Sequence, residues 1–313
     1  MLNFEVVLAS GEIVNANARE HSDLWIALRG GSNNFGVVTK FDMSTFEQGP
    51  FWGGNVYYFT PSFPSQIEAL VTELQKPDAD PDTHFMISIG YAAQFQQNMC
   101  LNTVYYTRDV ENPEVLAPFT TMQPQVDQLR SLKTLTLTEA GSGQAAGVMN
   151  QVRCSYMNLT VKADVSTLQA ATDIYLAAIE PIKSAAGLVC SLTFQPYAVS
   201  LLKQSVVRGG NSLGLKPSDG PAVSVLLLTN WQDSNDDSRL QIATQGALDK
   251  IRQAALDKGT ALDFVYLNYA SNSQDPIGSY GADNVQKLRE VSRRYDPDGF
   301  FQKMVPGGFK LFH

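Results

Sequence analysis

The stretch "DFVYLNYAS" (263–271) sets two phenols and a carboxamide, Tyr266, Asn268 and Tyr269, side by side at the end of an apolar run. A phenol near a buried ligand can act as a general base when its neighbours lower its pKa. An amide supplies both a donor and an acceptor to a polar ring. In a strand, Tyr266 and Asn268 would point to one face, and Leu267 and Tyr269 to the other. A core strand would not place Asn there, given the cost of burying an unpaired amide. The spacing therefore admits two readings: ordinary packing at a strand end, or the polar wall of an active site.

A second candidate is "ALRGGSNNFGVVTKF", which joins a helix end to a strand through Gly30, Gly31, Asn33, Asn34 and Gly36. Glycines let backbone N–H groups approach a phosphate or ribose closely, although such a turn needs them for its own geometry. The Gly-Lys-Ser/Thr ending of a P-loop is absent. "GGNSLGL" (209–215) reads as a substrate loop or as a bend between two strands. Gln195, closing an apolar strand, either caps an edge or enters a pocket. The three histidines, His21, His84 and His313, are scattered and give no metal-ligand spacing and no Ser-His-Asp triad. Cys100, Cys154 and Cys190 lie far apart in apolar contexts and read as small buried side chains, with one disulfide left open. Asn158-Leu159-Thr160 is a glycosylation triplet if the protein is secreted.

These residues need a scaffold, and 313 residues with 44% hydrophobic content suffice for a well-buried core in two domains. No window approaches the ~18 consecutive apolar residues of a membrane span. Acidic side chains outnumber basic ones, 31 to 23, and no basic cluster is interleaved with aromatics, which disfavours nucleic acid. The first residues lack the basic and apolar regions of a signal peptide. They read instead as a hairpin, "NFEVVLA" and "IVNAN" around the turn "SGE". A short helix on "HSDLWIALRG" and the strand "VVTKFDMSTF" complete a first block ending near residue 48.

Strands are expected on "FWGGNVYYFT", "HFMISIGYAAQ", "MCLNTVYYTR", "KTLTLTEA", "GLVCSLTFQP" and "AVSVLLLTNW". Helices are expected on "PSQIEALVTELQK", "NPEVLAPFTTM", "VSTLQAATDIYLAAIEPIKSA" and "SRLQIATQGALDKIRQAALDKG", the last stopped by Gly259. Such an order implies an α+β fold: an antiparallel sheet with helices on one face. A final amphipathic helix, "NVQKLREVSRRYDP", buries Val285, Leu288 and Val291 and is broken at Pro297 and Gly299.

Taken together and in this order, the stretches resemble a known family. "NFEVVLASGEIVNAN…HSDLWIALRGGSNNFGVVTKFDM" resembles the closing part of the FAD-binding domain of the vanillyl-alcohol oxidase superfamily. "YLNY…SYGADNVQKLREVSRRYDPDGFF" is similar to the C-terminal berberine-bridge segment of that group, and the middle resembles the substrate domain of fungal FAD-linked oxidoreductases. The resemblance implies three parts: residues 1–48 from a flavin-binding domain, 49–262 as substrate domain, and 263–313 returning to the flavin domain. It implies FAD as cofactor, with Tyr266 and Asn268 at the flavin and Tyr269 as catalytic base. Asn34, Phe35, Gly36, Val37 and Val38 would approach the nucleotide part.

The implied activity is oxidation of a sugar, alcohol or secondary metabolite, with molecular oxygen reoxidising the flavin. The family's Arg-x-Gly-Gly-His segment, which carries its flavin-linking His, is absent from these residues, so a shortened chain is expected. The family is often secreted. The rival expectation is a cofactor-free scaffold that binds a small molecule or guides a non-redox cyclisation by positioning alone.

Overall fold

The computed structural model describes residues 1–146 and 152–312, so His313 lies outside it. Two compact units emerge. The first opens with β1 (Asn3–Val7), β2 (Ile13–Asn17), α1 (Ser22–Leu28) and β3 (Val37–Asp42). The strands form a three-stranded antiparallel sheet in the order β2-β1-β3. Its register follows the alternation of the hairpin: Phe4, Val6, Val14 and Ala16 are buried, whereas Ile13 and Asn15 face solvent.

The second unit is built on β4 (Phe51–Phe59), β5 (Thr83–Ala92), β6 (Gln97–Tyr106), β7 (Lys133–Leu135), β8 (Arg153–Lys162), β9 (Val189–Tyr197), β10 (Ala222–Trp231) and β11 (Ala261–Leu262). They make one antiparallel eight-stranded sheet in the order β11-β8-β10-β9-β5-β6-β4-β7. Helices α2 (Phe63–Gln75), α5 (Val165–Ile179) and α7 (Asp237–Asp257) cover one face. Every second strand residue joins them: Ile87 and Ile89, Leu192 and Phe194, and Val223, Val225 and Leu227 pack with Leu70, Tyr175 and Ile251. Each such side chain contributes roughly 1.5–3 kcal/mol by leaving water. The expected α+β architecture, an antiparallel sheet flanked by helices, is what the chain adopts.

Three local readings change. "KTLTLTEA" is a strand only as far as Leu135, and α4 (Leu137–Ala146) begins straight after it. The cause is a capping box: Glu139 Oε2 accepts from Thr136 N at 2.7 Å, and Thr136 Oγ1 accepts from Glu139 N at 3.3 Å. "NPEVLAPFTTM" is helical only over a 3₁₀ turn and α3 (Ala117–Thr120). The glycosylation triplet lies within β8, where Asn158 is fully buried, so the folded chain offers no acceptor there.

The sheet unit is not one continuous stretch. After β9 the chain leaves it, and Ser200–Asp219, carrying most of α6 (Val199–Val207), clusters with the first unit. That unit is completed by Asp263–His313, with α8 (Ala282–Tyr295) and α9 (Phe300–Lys303). Asp296, 2% exposed, caps α9 by accepting from the N–H groups of Phe300 (2.7 Å) and Phe301 (2.8 Å). Gly299 precedes α9 at φ 69°, a conformation that favours glycine.

All three cysteines are free. Cys100 and Cys190 are buried as expected, but Cys154 is exposed at the start of β8. Burial pushes the Cys100 thiol up to about 12 and raises Cys190 as well, so both resist forming the reactive thiolate. We expect a colorimetric thiol reagent at mildly alkaline pH to modify only Cys154 in the native protein and all three cysteines after denaturation. Fast labelling of Cys100 or Cys190 without denaturant would contradict the packing described.

Candidate functional site

The Tyr266–Tyr269 stretch is not a strand. After β11 the chain runs extended through Phe264 and Val265, both buried, and then turns as a 3₁₀ segment over Leu267–Tyr269. The alternating faces expected for a strand are therefore replaced by a tight turn that gathers the side chains. Asn268 Nδ2 donates to Tyr266 Oη at 2.8 Å, and the Tyr266 and Tyr269 rings meet edge-on with centroids 5.0 Å apart. Both tyrosines are half-buried and Asn268 is exposed.

Residues further along hold this turn, and sequence reasoning did not single them out. Ser279 Oγ accepts from Val265 N at 2.9 Å and donates to Pro276 O at 2.5 Å. Tyr280 is buried, stacks on Phe264, and donates its hydroxyl proton to Gly30 O at 3.1 Å. Burial, reinforced by the neighbouring Tyr266 phenol, raises the Tyr280 pKa far above the ordinary phenol value, so it stays a neutral donor. A buried Tyr with a fixed partner positions its surroundings; the signal that could have marked it is its place in "SYGADN", just before a helix start.

"GGNSLGL" is neither a bend between two strands nor part of the sheet unit. It follows α6 and packs on the end of α1: Ser212 Oγ donates to Ile26 O at 3.0 Å, and Ser212 N to Arg29 O at 3.2 Å. Arg29 returns the contact by donating to the carbonyls of Arg208 and Gly209, each at 2.9 Å, while lying 3.7 Å over the Trp25 ring. Gly214, at φ 89°, brings its backbone so near Tyr280 that an added Cβ would sit 2.6 Å from Tyr280 O.

The Gly/Asn loop is tied to the C-terminal tail. Asn34 is fully buried: its Nδ2 donates to Gly31 O (2.7 Å) and Phe309 O (2.9 Å), and its Oδ1 accepts from Gln302 Nε2 (3.0 Å). Phe35 is also fully buried, Gly36 and Val38 are half-buried, and Val37 is exposed on β3. Protein atoms fill the space beside two of the glycines. A Cβ on Gly31 would meet the Phe35 ring at 2.4 Å, and one on Gly36 would meet Val6 Cγ1 at 2.5 Å. Close chain packing thus accounts for both. For FAD, the phenols and amide of Tyr266, Asn268 and Tyr269 suit a flat heteroaromatic ring, whereas the side chains of Asn34 and Phe35 are already committed to protein partners.

Of the remaining candidates, Gln195 lies within β9, between strands, with Nε2 3.6 Å from Met86 Sδ. His21 precedes α1 and bonds the Tyr295 hydroxyl through Nδ1 at 3.1 Å. Since that hydroxyl donates its single proton to Asp23 Oδ1 at 2.8 Å, His21 Nδ1 carries the hydrogen. His84 sits at the start of β5, stacked on Tyr105. Among the described residues no group of His, Cys, Asp or Glu could hold a metal ion, and no helix is long and apolar enough to cross a membrane.

Comparison with known proteins places this geometry. Residues 265–304, which include the Tyr-Leu-Asn-Tyr turn and α8, match the family described as "Berberine and berberine like". An FAD-dependent monooxygenase of Fusarium proliferatum is 34% identical over 99% of this chain, and one of Cochliobolus heterostrophus is 33% identical over 99%. The chain spans 61% of the length of each of these relatives. Among solved structures, a berberine-bridge-like protein of Physcomitrella patens superposes with a TM-score of 0.76 at 14% identity, covering 100% of this chain and 66% of that one. Residues 265–304 thus carry a berberine-like segment, and the chain over nearly its whole length is similar in sequence to fungal FAD-dependent monooxygenases.

Proposed function

We propose that the chain supplies the substrate-facing sheet and the catalytic turn of an FAD-dependent oxidoreductase, with Tyr269 as general base. The observation that carries this reading is the gathering of Tyr266, Asn268 and Tyr269 on one turn inside the berberine-like segment. FAD, when bound, accepts a hydride from the substrate. Tyr269 takes the proton from a substrate hydroxyl or an activated C–H. Tyr266 and Asn268, coupled by their 2.8 Å hydrogen bond, orient the ring edge of the cofactor. Tyr280 and Ser279 act as positioning residues that hold the turn.

The loop Asn34, Phe35, Gly36, Val37 and Val38 is assigned to the nucleotide side. Asn34 and Phe35 serve there by fixing the loop, and the other three by backbone approach. The substrate is a small molecule of the sugar, alcohol or secondary-metabolite kind, and molecular oxygen is the acceptor. Both relatives named above are called FAD-dependent monooxygenases, which supports redox chemistry with oxygen.

Gel filtration of the purified protein after incubation with FAD tests the reading. Visible flavin absorbance is expected to co-elute with the folded chain. A folded, monodisperse protein that elutes colourless would instead favour the cofactor-free small-molecule scaffold.

A further inference from the structure

Strands β9 and β10 are neighbours whose ends meet, Tyr197 standing directly opposite Ala222. A turn of about two to five residues would join such a pair. The chain instead spends residues 198–221 on the connection, and Ser200–Asp219 belongs to the other compact unit. Building the sheet does not require that excursion, and long connections in compact domains usually serve a function. Within its own unit the excursion reaches Tyr280 at both ends of the residue. Gly214, at φ 89°, lies against the Tyr280 main chain: an added Cβ would sit 2.6 Å from the carbonyl oxygen and 3.0 Å from the carbonyl carbon. That oxygen also accepts from Asn284 Nδ2 at 3.0 Å, which holds it in place. At the far end, the Tyr280 hydroxyl donates to Gly30 O, and Gly30 is backed by Leu213, whose Cδ2 would lie 2.8 Å from a Cβ there. Ser212 fixes this corner by donating its hydroxyl to Ile26 O and its N–H to Arg29 O.

Between those two ends the Tyr280 ring stacks on Phe264, with centroids 6.2 Å apart, and the preceding Ser279 holds Val265 N. Phe264 and Val265 lead straight into the Leu267–Tyr269 turn. We propose that Ser212–Gly214 is a brace for the Tyr266–Tyr269 turn, with Gly214 a positioning residue that acts through Tyr280. Position 214 demands glycine twice, for its backbone angle and for its closeness to Tyr280. The close approach at Gly214 is to main-chain atoms, which have no rotamer to change, and a packed interior passes such a displacement on. A shift of Tyr280 therefore carries Phe264 and Val265 with it, and the turn follows.

The proposal rests on the reading of the turn given above, and its test needs no flavin, so each can fail without the other. Amide hydrogen exchange of the 313-residue chain is followed by NMR in Gly214→Ala and in Gly210→Ala. Gly210 also has a positive φ, 75°, but a Cβ there meets nothing within 4 Å, so its variant carries the backbone strain alone. Val265, Tyr269 and Ala270 donate their N–H groups to Ser279 Oγ, Tyr266 O and Leu267 O. These three amides are expected to exchange about fivefold faster or more in Gly214→Ala than in Gly210→Ala, the effect of one neutral hydrogen bond. The amides of Leu8 and Asp296 in the same unit, bonded to Glu12 O and Ser292 O, should not differ between the two variants. Ser212→Ala removes one anchoring hydroxyl and adds no atom, so it serves where Gly214→Ala does not fold. It should speed the same three amides and leave Leu8 and Asp296 at the parent rate. Unchanged exchange at the three amides, or equal acceleration at all five, would overturn the brace. A selective response of the turn with unchanged flavin affinity would uphold the brace and count against the flavin reading.

Discussion

Replacing Tyr269 by Phe in flavin-loaded protein is expected to lower turnover by about 10²–10⁴-fold, the range for losing a positioned general base. The substitution removes one oxygen and keeps the ring that packs edge-on against Tyr266. Flavin content and KM should therefore stay close to those of the parent protein, and the loss should fall on kcat. Tyr266→Phe makes a different prediction. It deprives Asn268 of its 2.8 Å acceptor, so flavin affinity should drop about fivefold, in line with one neutral hydrogen bond. Steady-state kinetics on both variants separates the roles. If Tyr266→Phe abolished turnover and Tyr269→Phe did not, the assignment of the base would be reversed.

The second large effect concerns stability. Asn34→Ala removes three hydrogen bonds from a fully buried site and leaves the carbonyls of Gly31 and Phe309 without their donor. Each buried group left unpaired costs on the order of 1–3 kcal/mol, so a loss of about 3 kcal/mol in unfolding free energy is expected. The loop and the tail should loosen together, because Asn34 is where they join. Hydrogen exchange should accelerate at Gln302, Phe309 and Leu311, whose backbone or side chains bond to Asn34 or to Gln302. Asn34→Asp should do no better than Ala, because it would set a carboxylate oxygen against those two carbonyl oxygens. Denaturant unfolding of the three proteins measures this directly, and a change below about 1 kcal/mol in Asn34→Ala would contradict the buried network.

Much of the fold is legible in the pattern of the sequence, because burial obeys simple periodicities. The hairpin of β1 and β2, the strands β4, β5, β6, β9 and β10, and the helices α2, α5, α7 and α8 all follow alternation or helical spacing. Gly259, at φ 67°, ends α7 as its position implies. What escaped has local causes. β8 alternates Met157, Leu159 and Val161 inward against Tyr156, Asn158 and Thr160, but its polar residues draw the eye to a glycosylation triplet instead. α4 follows β7 with almost no linker, and only its capping box announces it.

At the candidate site, the residue types were legible and their geometry was not. Tyr266, Asn268 and Tyr269 are neighbours in sequence, so their proximity is guaranteed, yet a 3₁₀ turn arranges them differently from a strand. The groups that hold the turn come from far along the chain. Tyr280 reaches back to Gly30, and Ser212 reaches the end of α1. No periodicity encodes such contacts; they follow from tertiary packing. Asn34 shows the converse. Its type and setting suggest a ligand contact, while its amide is wholly engaged by its own loop and the tail.

The central claim is that the Tyr266–Asn268–Tyr269 turn meets a flavin ring, and a fluorescence titration tests it most directly. FAD is titrated with the parent protein and with Asn268→Ala, an exposed position where truncation leaves the fold intact. The account predicts saturable quenching of flavin emission by the parent protein and at least about fivefold weaker binding by the variant. Equal affinities for the two proteins, or unquenched flavin in the presence of a folded parent chain, would contradict it.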